Sequence, residues 1–157
     1  MKKLDSLRDC FIDQNKMLAV AESMTGGGLS ERLTSIPNSS KFFQGGIVAY
    51  SDWVKIHVLG IQKELLQEYT AVSAQVAKQM AARAREIMKT NYGVGITGIA
   101  GPTSLSKNRP IGLVYIALNN DGAEHIQEFH FKGDRETVRT LAVEKTIELL
   151  HAAMSKK

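Results

Sequence analysis

The stretch ESMTGGG, residues Glu22–Gly28, decides the fold because of what stands on either side of it. The preceding run, Met17–Ala21, is short and entirely apolar, which is typical of a strand buried on both faces. The following segment, Leu29–Leu33, is predicted to be helical, and Pro37 ends that helix. A strand, a glycine-rich turn and a helix in this order predict one unit of an α/β protein.

The rest of the chain continues the alternation of strands and helices. Ser73 is predicted to cap a long helix. The buried side of that helix is predicted to carry Val76, Met80, Ala84 and Ile87. Asn119–Gly122 is a strong hairpin signal between two apolar runs. Further strands are predicted at 45–50, 92–96, 111–118 and 125–131, and further helices at 4–16, 54–59, 63–68 and 133–154.

These patterns predict a three-layer α/β/α sandwich with a mixed, mostly parallel sheet. Helices that alternate with strands imply parallel pairing, and the hairpin adds an antiparallel part. The length of 157 residues fits one domain with a single core. Hydrophobic residues make up 43% and charged residues 23%, as in ordinary globular domains, so we expect one folded domain over residues 1–157.

The composition also excludes several classes of protein. No apolar run approaches the roughly 20 residues that span a bilayer, and Arg8 and Asp9 interrupt any signal-peptide core. Cys10 is the one cysteine, so an internal disulfide framework and a multi-cysteine zinc site are excluded. We therefore expect a cytoplasmic protein that is not associated with a membrane.

The net charge of +4 raises the question of nucleic-acid binding. Lysines and arginines are scattered, however, and many stand near acids, as in Arg83-Ala84-Arg85-Glu86. No basic run with interleaved aromatic residues is present. We therefore expect no nucleic-acid partner, and a small anionic substrate suits the mild positive charge at least as well.

Three predicted strand ends carry unusual residues, namely Glu22–Gly28, Tyr50–Lys55 and Thr97–Pro102. In open α/β sheets, ligands bind beyond the carboxyl ends of the parallel strands. The glycines let the backbone approach a ligand closely, and the first turn leads into a helix N-terminus that suits anions. Taken alone, the first turn is explained equally well by a tight connection and Thr97–Pro102 is explained better by one, but two such turns on one edge favour a binding site.

The segments around Ser40 and Lys55 supply candidates for nucleophilic chemistry. A serine hydroxyl needs a base, and a lysine of lowered pKa is able to provide one. From spacing alone, a helix cap at Ser39–Ser40 and a solvated Lys55 explain these residues better than catalysis does. The four histidines do not cluster at ligand spacing, so neither a metal site nor a histidine triad is predicted.

Arg135 and Arg139 stand four residues apart at the start of the last predicted helix and therefore share a face. Together with Lys132 they form a candidate phosphate contact. A solvated face balanced by Asp134 and Glu136 explains the same residues.

Taken together, these segments resemble the CinA C-terminal domain family over nearly the whole chain. The resemblance rests on the following motifs: Ala21–Gly27, Ser39-Ser40 with Phe43, Gly46–Ser51 with Lys55, Ala71–Ser73, Thr97–Pro102, Gly112, and Gly133–Arg135 with Arg139. It implies an α/β/α fold with a mixed sheet in a single domain, and a homo-oligomer. It also implies an amidohydrolase that converts nicotinamide mononucleotide to nicotinic acid mononucleotide and ammonia, without a metal or cofactor.

The resemblance assigns roles to individual residues. Ser40 matches the position of the nucleophile, Lys55 that of its partner base, and Tyr50 that of a tyrosine placed beside them. The positions that match substrate-binding residues are Ser23, Thr25, Gly26, Gly27, Thr97, Gly98, Arg135 and Arg139. The mechanism implied is an attack by Ser40 on the amide carbon, with Lys55 taking the proton.

The chain departs from the family pattern at three places. Met24 stands where a cysteine is common, Asp52-Trp53 where Asn-Glu is common, and residues 103–108 lack the usual Asp and Gly. These departures keep an alternative open, namely a non-catalytic nucleotide-binding or partner-binding protein of the same fold.

Overall fold

The computed structural model describes residues 2–156. Its strands are β1 (Leu18–Glu22), β2 (Phe43–Val48), β3 (Tyr92–Gly98), β4 (Leu113–Asn120) and β5 (Ala123–His130). Its helices are α1 (Lys2–Asp13), α2 (Gly28–Thr34), α3 (Asp52–His57), α4 (Lys63–Tyr69), α5 (Ala74–Met88) and α6 (Arg135–Ser155). A single 3-10 turn, Ser39–Lys41, precedes β2 in this part of the chain.

The five strands form one sheet in the order β2-β1-β3-β4-β5. β1 pairs in parallel with both β2 and β3, whereas β3–β4 and β4–β5 are antiparallel pairs. The predicted mixed sheet is therefore confirmed, and so is the hairpin, whose strands are joined at Asp121-Gly122. Because β1, β2 and β3 run in the same direction, their carboxyl ends meet at one edge of the sheet.

β1 is buried along its whole length because helices cover both faces of the sheet. Leu18 and Val20 point into the larger core, to which α1, α2 and α6 contribute. Ala19 and Ala21 point the other way, into the core beneath α4 and α5. This alternation follows from the period of two along a strand, and the resulting helix–sheet–helix arrangement confirms the three-layer sandwich.

α5 packs directly on β3, and Ser73 caps it as predicted by accepting a hydrogen bond from the Val76 N–H at 3.2 Å. Val76, Met80 and Ala84 are buried, but Ile87 is 42% exposed, so the prediction for that residue was wrong. The buried stripe advances by four residues per turn, which brings Met88 instead of Ile87 against the core.

No helix among residues 2–156 is both long enough and apolar enough to cross a membrane. α6 is the longest of the helices in this range at 21 residues, and it begins where the side chain of Asp134 accepts a hydrogen bond from the Thr137 N–H. Its N-terminus stands at the edge of the sheet where β1, β2 and β3 end, because Arg135 contacts residues that follow β2 and β3.

Candidate active site

Ser23 and Lys55 lie in contact at the carboxyl ends of two neighbouring parallel strands. Ser23 is the first residue after β1, and Lys55 lies in α3, which follows β2. The Lys55 Nζ atom donates to the Ser23 Oγ atom at 3.0 Å. It also donates to the carbonyl oxygens of Ala49 at 2.8 Å and of Tyr50 at 3.1 Å. The three acceptors of the Lys55 Nζ atom are therefore all atoms of the protein itself.

The local sequence explains why Lys55 turns towards the sheet. The Ser51 side chain caps α3 by accepting from the Val54 N–H at 3.2 Å. The helix therefore begins shortly after β2, and Lys55 lies near its start. Lys55 is only 1% exposed. Burial lowers the pKa of Lys55 because it disfavours the ammonium form, and the nearby Asp52 carboxylate offsets part of this effect.

A pocket of about 300 Å³ opens beside this pair. Its walls come from the three segments that follow β1, β2 and β3, with α6 on one side. Of the residues predicted from the sequence, it is lined by Ser23, Tyr50, Lys55, Thr97, Gly98 and Arg135. The structure therefore brings six of the eleven predicted site residues into one cavity, at the edge of the sheet where an α/β protein is expected to bind its ligand.

Arg135 and Arg139 both lie in α6 but contact different parts of the protein. Arg135 is exposed at the pocket, where its guanidinium donates to the Gly101 carbonyl oxygen at 2.7 Å and lies 3.4 Å from the Tyr50 hydroxyl. Arg139 lies on the far side of the glycine turn and donates to the carbonyl oxygens of Met24 at 3.1 Å and Thr25 at 3.0 Å. Arg135 is thus available to a ligand in the pocket, whereas Arg139 holds the turn.

The two threonines predicted to bind substrate lie in different surroundings. The Thr97 hydroxyl donates to the Ala71 carbonyl oxygen at 2.8 Å and joins β3 to the segment before α5. Thr25 is 1% exposed and lines a separate cavity between α2 and α6, together with Arg139. Thr97 therefore lines the pocket with its hydroxyl bonded to the backbone, whereas Thr25 lies outside this pocket.

Gly26 and Gly27 form the turn itself. Their φ angles are +60° and +97°, in the left-handed region that glycine adopts without a steric cost. Neither residue lines the pocket that Ser23 and Lys55 share. The glycines are explained by the sharp connection from β1 to α2, which presents Ser23 to the pocket.

The prediction that Ser40 pairs with Lys55 was wrong. Ser40 is an exposed residue of the 3-10 turn before β2, whereas Lys55 follows that strand. β2 has six residues and extends over about 20 Å at roughly 3.3 Å per residue, and Ser40 and Lys55 lie beyond its two opposite ends. Ser40 therefore stands at the opposite edge of the sheet, and Ser23 takes the place beside the lysine.

Sequence reasoning also missed the part played by Glu22. This carboxylate is fully buried and accepts hydrogen bonds from the N–H groups of Leu29 at 2.9 Å and Ser30 at 2.8 Å, and from the Ser30 hydroxyl at 2.8 Å. The signal was present, because an acid at the end of an apolar strand needs buried partners. The glycines of the same motif carry the more familiar signal, that of a sharp turn.

Within residues 2–156, no group of three or more His, Cys, Asp and Glu side chains is arranged to hold a metal ion. The chemistry that the pocket offers is that of a serine hydroxyl beside an amine whose neutral form is favoured by burial. Such a pair activates an oxygen nucleophile for acyl transfer.

Comparison with known proteins agrees with this architecture. Residues 2–154 match the model of the CinA C-terminal domain. A CinA-like protein of Acidobacterium capsulatum is 47% identical over 133 residues, which cover 85% of this chain and 32% of that protein. A putative competence-damage inducible protein of Acetivibrio thermocellus is 41% identical over 146 residues, covering 93% and 35% respectively. The chain thus spans about a third of the length of these curated relatives.

Solved structures show the same fold. The crystal structure of a competence or damage-inducible protein from Enterobacter asburiae superposes with a TM-score of 0.94 at 34% identity, covering 98% of this chain and 97% of that one. A protein of the same description from Agrobacterium tumefaciens gives a TM-score of 0.94 at 33% identity, over 99% and 94% of the two chains. From its sequence and its fold alike, the chain belongs to the CinA C-terminal domain family.

Proposed function

We propose that this protein is an amidohydrolase that converts nicotinamide mononucleotide to nicotinic acid mononucleotide and ammonia. The observation that carries the proposal is the 3.0 Å contact between the Ser23 Oγ atom and the buried Lys55 Nζ atom. The substrate itself comes from the family resemblance. Ser23 replaces Ser40 as the nucleophile in this proposal, because it is the serine within reach of the base.

In the first step, the neutral Lys55 amine takes the Ser23 proton as the Ser23 oxygen attacks the carboxamide carbon. A distance of 3.0 Å is within the range in which a general base works. The tetrahedral intermediate collapses as the C–N bond breaks, and the Lys55 ammonium returns its proton to the departing nitrogen. Ammonia leaves, and the acyl group stays on Ser23 as an ester.

In the second step, water attacks the ester while Lys55 takes a proton from it, and Ser23 regains its hydrogen as the acid is released. Each tetrahedral intermediate carries a negative oxygen that needs donors. In the turn after β1, the N–H groups of Gly26 and Gly28 are bonded to the Ser23 and Thr25 carbonyl oxygens. We assign the oxyanion to the N–H group of Met24, which follows Ser23 directly and belongs to a residue that lines the pocket.

Arg135 is the proposed contact for the phosphate of the mononucleotide. It is exposed at the same pocket as Ser23, and a guanidinium binds phosphate through paired N–H groups. Arg139 is not proposed for this role, because its guanidinium is bonded to the backbone behind the turn. The cytoplasmic location stays a prediction from the composition, and the homo-oligomeric state stays a prediction from the resemblance.

The test is to assay ammonia release from nicotinamide mononucleotide by the purified protein and by single variants. We expect Ser23→Ala to lower kcat by about 10⁴-fold or more and Lys55→Ala by about 10²- to 10⁴-fold. Ser40→Ala is the matched serine control and is expected to keep full activity, because Ser40 is exposed at the opposite edge of the sheet.

Three results would contradict the proposal: undetectable turnover by the wild type, full activity of Ser23→Ala, or loss of activity in Ser40→Ala alone. Nucleotide binding without turnover would instead support the alternative of a non-catalytic nucleotide-binding protein. Calorimetric titration with the mononucleotide separates this outcome from the absence of any binding.

A further inference from the structure

Glu22 is a buried carboxylate directly adjacent to the proposed nucleophile. Its side chain is fully enclosed, and both carboxylate oxygens receive hydrogen bonds. Oε2 accepts from the Leu29 N–H at 2.9 Å, and Oε1 accepts from the N–H and the hydroxyl of Ser30, each at 2.8 Å. Three donors offset the cost of burying this group, and all three come from the first residues of α2.

These bonds close the turn that carries Ser23. The turn leaves the sheet at Glu22 and enters α2 at Gly28, and the Glu22 side chain joins its two ends. The main chain of Glu22 is fixed as well, because its carbonyl oxygen accepts from the Ala49 N–H at 2.7 Å. The Ala49 carbonyl oxygen in turn accepts from Lys55, so Glu22 is connected to both members of the proposed pair.

The outer side of the turn is held independently. Arg139 donates to the carbonyl oxygens of Met24 and Thr25 from α6. The turn is therefore fixed between a carboxylate on one side and a guanidinium on the other, and neither group lines the pocket that Ser23 faces.

An ordinary helix cap does not explain this arrangement. A cap is normally supplied by the side chain of the N-cap residue itself, but the N-cap of α2 is Gly27, which has none to offer. The acceptor comes instead from a residue on β1, next to Ser23. The position of the acceptor thus couples the start of α2 to the position of the serine.

We infer that Glu22 is a positioning residue, whose carboxylate holds the Ser23 oxygen at the distance from Lys55 that reaction requires. The inference rests on the proposed function, since positioning has a kinetic effect only where Ser23 is the nucleophile. A displacement of about 1 Å at a reacting group lowers the rate by about 10²-fold, and a turn of five residues, 23–27, with only its outer side held allows such a displacement.

The first experiment compares Glu22→Gln with the wild type in steady-state ammonia release. The amide keeps the shape of the side chain but turns an NH₂ group towards one of the α2 donors. We expect kcat to fall at least about 10-fold at temperatures well below melting, with KM changed by less than about threefold. Glu31→Gln, the same change at an exposed residue of α2, is the control and is expected to leave both values unchanged.

A purely structural role would give a different pattern. In that case Glu22→Gln would lower the melting temperature, yet kcat per folded molecule would equal that of the wild type, and the inference would be overturned. If Glu22→Gln does not fold, Ser30→Ala takes its place. It removes only one of the three donors, and a smaller fall in kcat at constant KM is expected, whereas an unchanged kcat would contradict the inference.

A second measurement does not depend on the substrate. A fluorophosphonate reacts with an activated serine, as the serine oxygen bonds to phosphorus, fluoride leaves, and the base takes the proton. We expect mass spectrometry to find the label on Ser23 and to show slower labelling in Glu22→Gln. Equal labelling rates would refute the positioning role. If the wild type is labelled but releases no ammonia, and Glu22→Gln is labelled more slowly, the proposed substrate is refuted while the positioning role is supported.

Discussion

Lys55 is a cationic side chain that the fold removes from water. Its amine is enclosed at the end of β2 and donates to a hydroxyl and two carbonyl oxygens rather than to a carboxylate. Burial therefore lowers the pKa of Lys55, and the Asp52 charge restrains the shift. Because burial and the Asp52 charge act in opposite directions on the Lys55 pKa, the pH dependence of the reaction tests whether Lys55 is the base.

The pH profile of kcat/KM is expected to show an acidic limb below the ordinary range of lysine, because the base must be neutral. Activity rises as the pH rises through the Lys55 pKa. Asp52→Asn removes the charge that stabilises the ammonium form, so it lowers this pKa further and moves the limb to lower pH. Asp13→Asn, at an exposed residue of α1, is the control. An unmoved limb, or one moved to higher pH, would argue against Lys55 as the base.

The choice between Ser23 and Ser40 shows what the sequence was able to predict at this scale. The residue types were recognisable, because Ser23, Tyr50, Lys55, Thr97 and Arg135 do line one pocket. The pairing of Ser40 with Lys55 rests on the resemblance and takes no account of the order of strands. Ser40 comes before the predicted second strand and Lys55 after it, so the rule that places sites at carboxyl ends already favoured Ser23.

Among the elements, α5 and β3 make a contact that depends on glycines. A Cβ atom on Gly93 or Gly95 would overlap the carbonyl oxygens of Ala81 and Ala77 in α5. The helix therefore lies unusually close to the strand, and these oxygens are backbone atoms that cannot rotate away. β3 is thus held at the depth at which its end, Thr97-Gly98, forms a wall of the pocket.

Gly95→Ala is expected to destabilise the protein by about 1–3 kcal/mol, the usual cost of overpacking a core. Gly45→Ala is the matched control on β2, because its new Cβ would meet only the end of the flexible Met88 side chain, with Sδ at 3.3 Å and Cε at 3.9 Å. Urea denaturation gives both free energies of unfolding. Equal losses for the two variants would contradict close packing of α5 as the cause.

The elements themselves were largely predictable, because their signals are local. Ser73 and Asp134 cap their helices, and Asp121-Gly122 turns the hairpin. The close approach of α5 was not predictable, since a glycine in a strand has several explanations until its neighbour is known. The prediction for Ile87 was wrong for a related reason. Ile87 and Met88 are both apolar and adjacent in the last turn of α5, and it is Met88 that packs against the core.

At the scale of the whole molecule, the two faces of the sheet carry cores of unequal size. The face under α1, α2 and α6 is filled by large side chains such as Phe11, Phe42 and Leu150. The face under α5 is filled around alanines and glycines of β1 and β3. The order of helices and strands is sufficient to predict three layers. The relative size of the two cores is not predictable in this way, because it depends on which helix packs on which strand.

The place of β2 in the sheet has a consequence for local stability. β2 is an edge strand, bonded to β1 alone, whereas β1 lies between two neighbours. Edges of a fold open more readily than its centre, and an opening of β2 with α3 would remove Lys55 while Ser23 stayed in position. We expect thermal inactivation to precede the loss of far-UV circular dichroism, and amides of 43–48 to exchange faster than those of 18–22. Coincident inactivation and melting, with uniform exchange, would show that the edge and the centre open together.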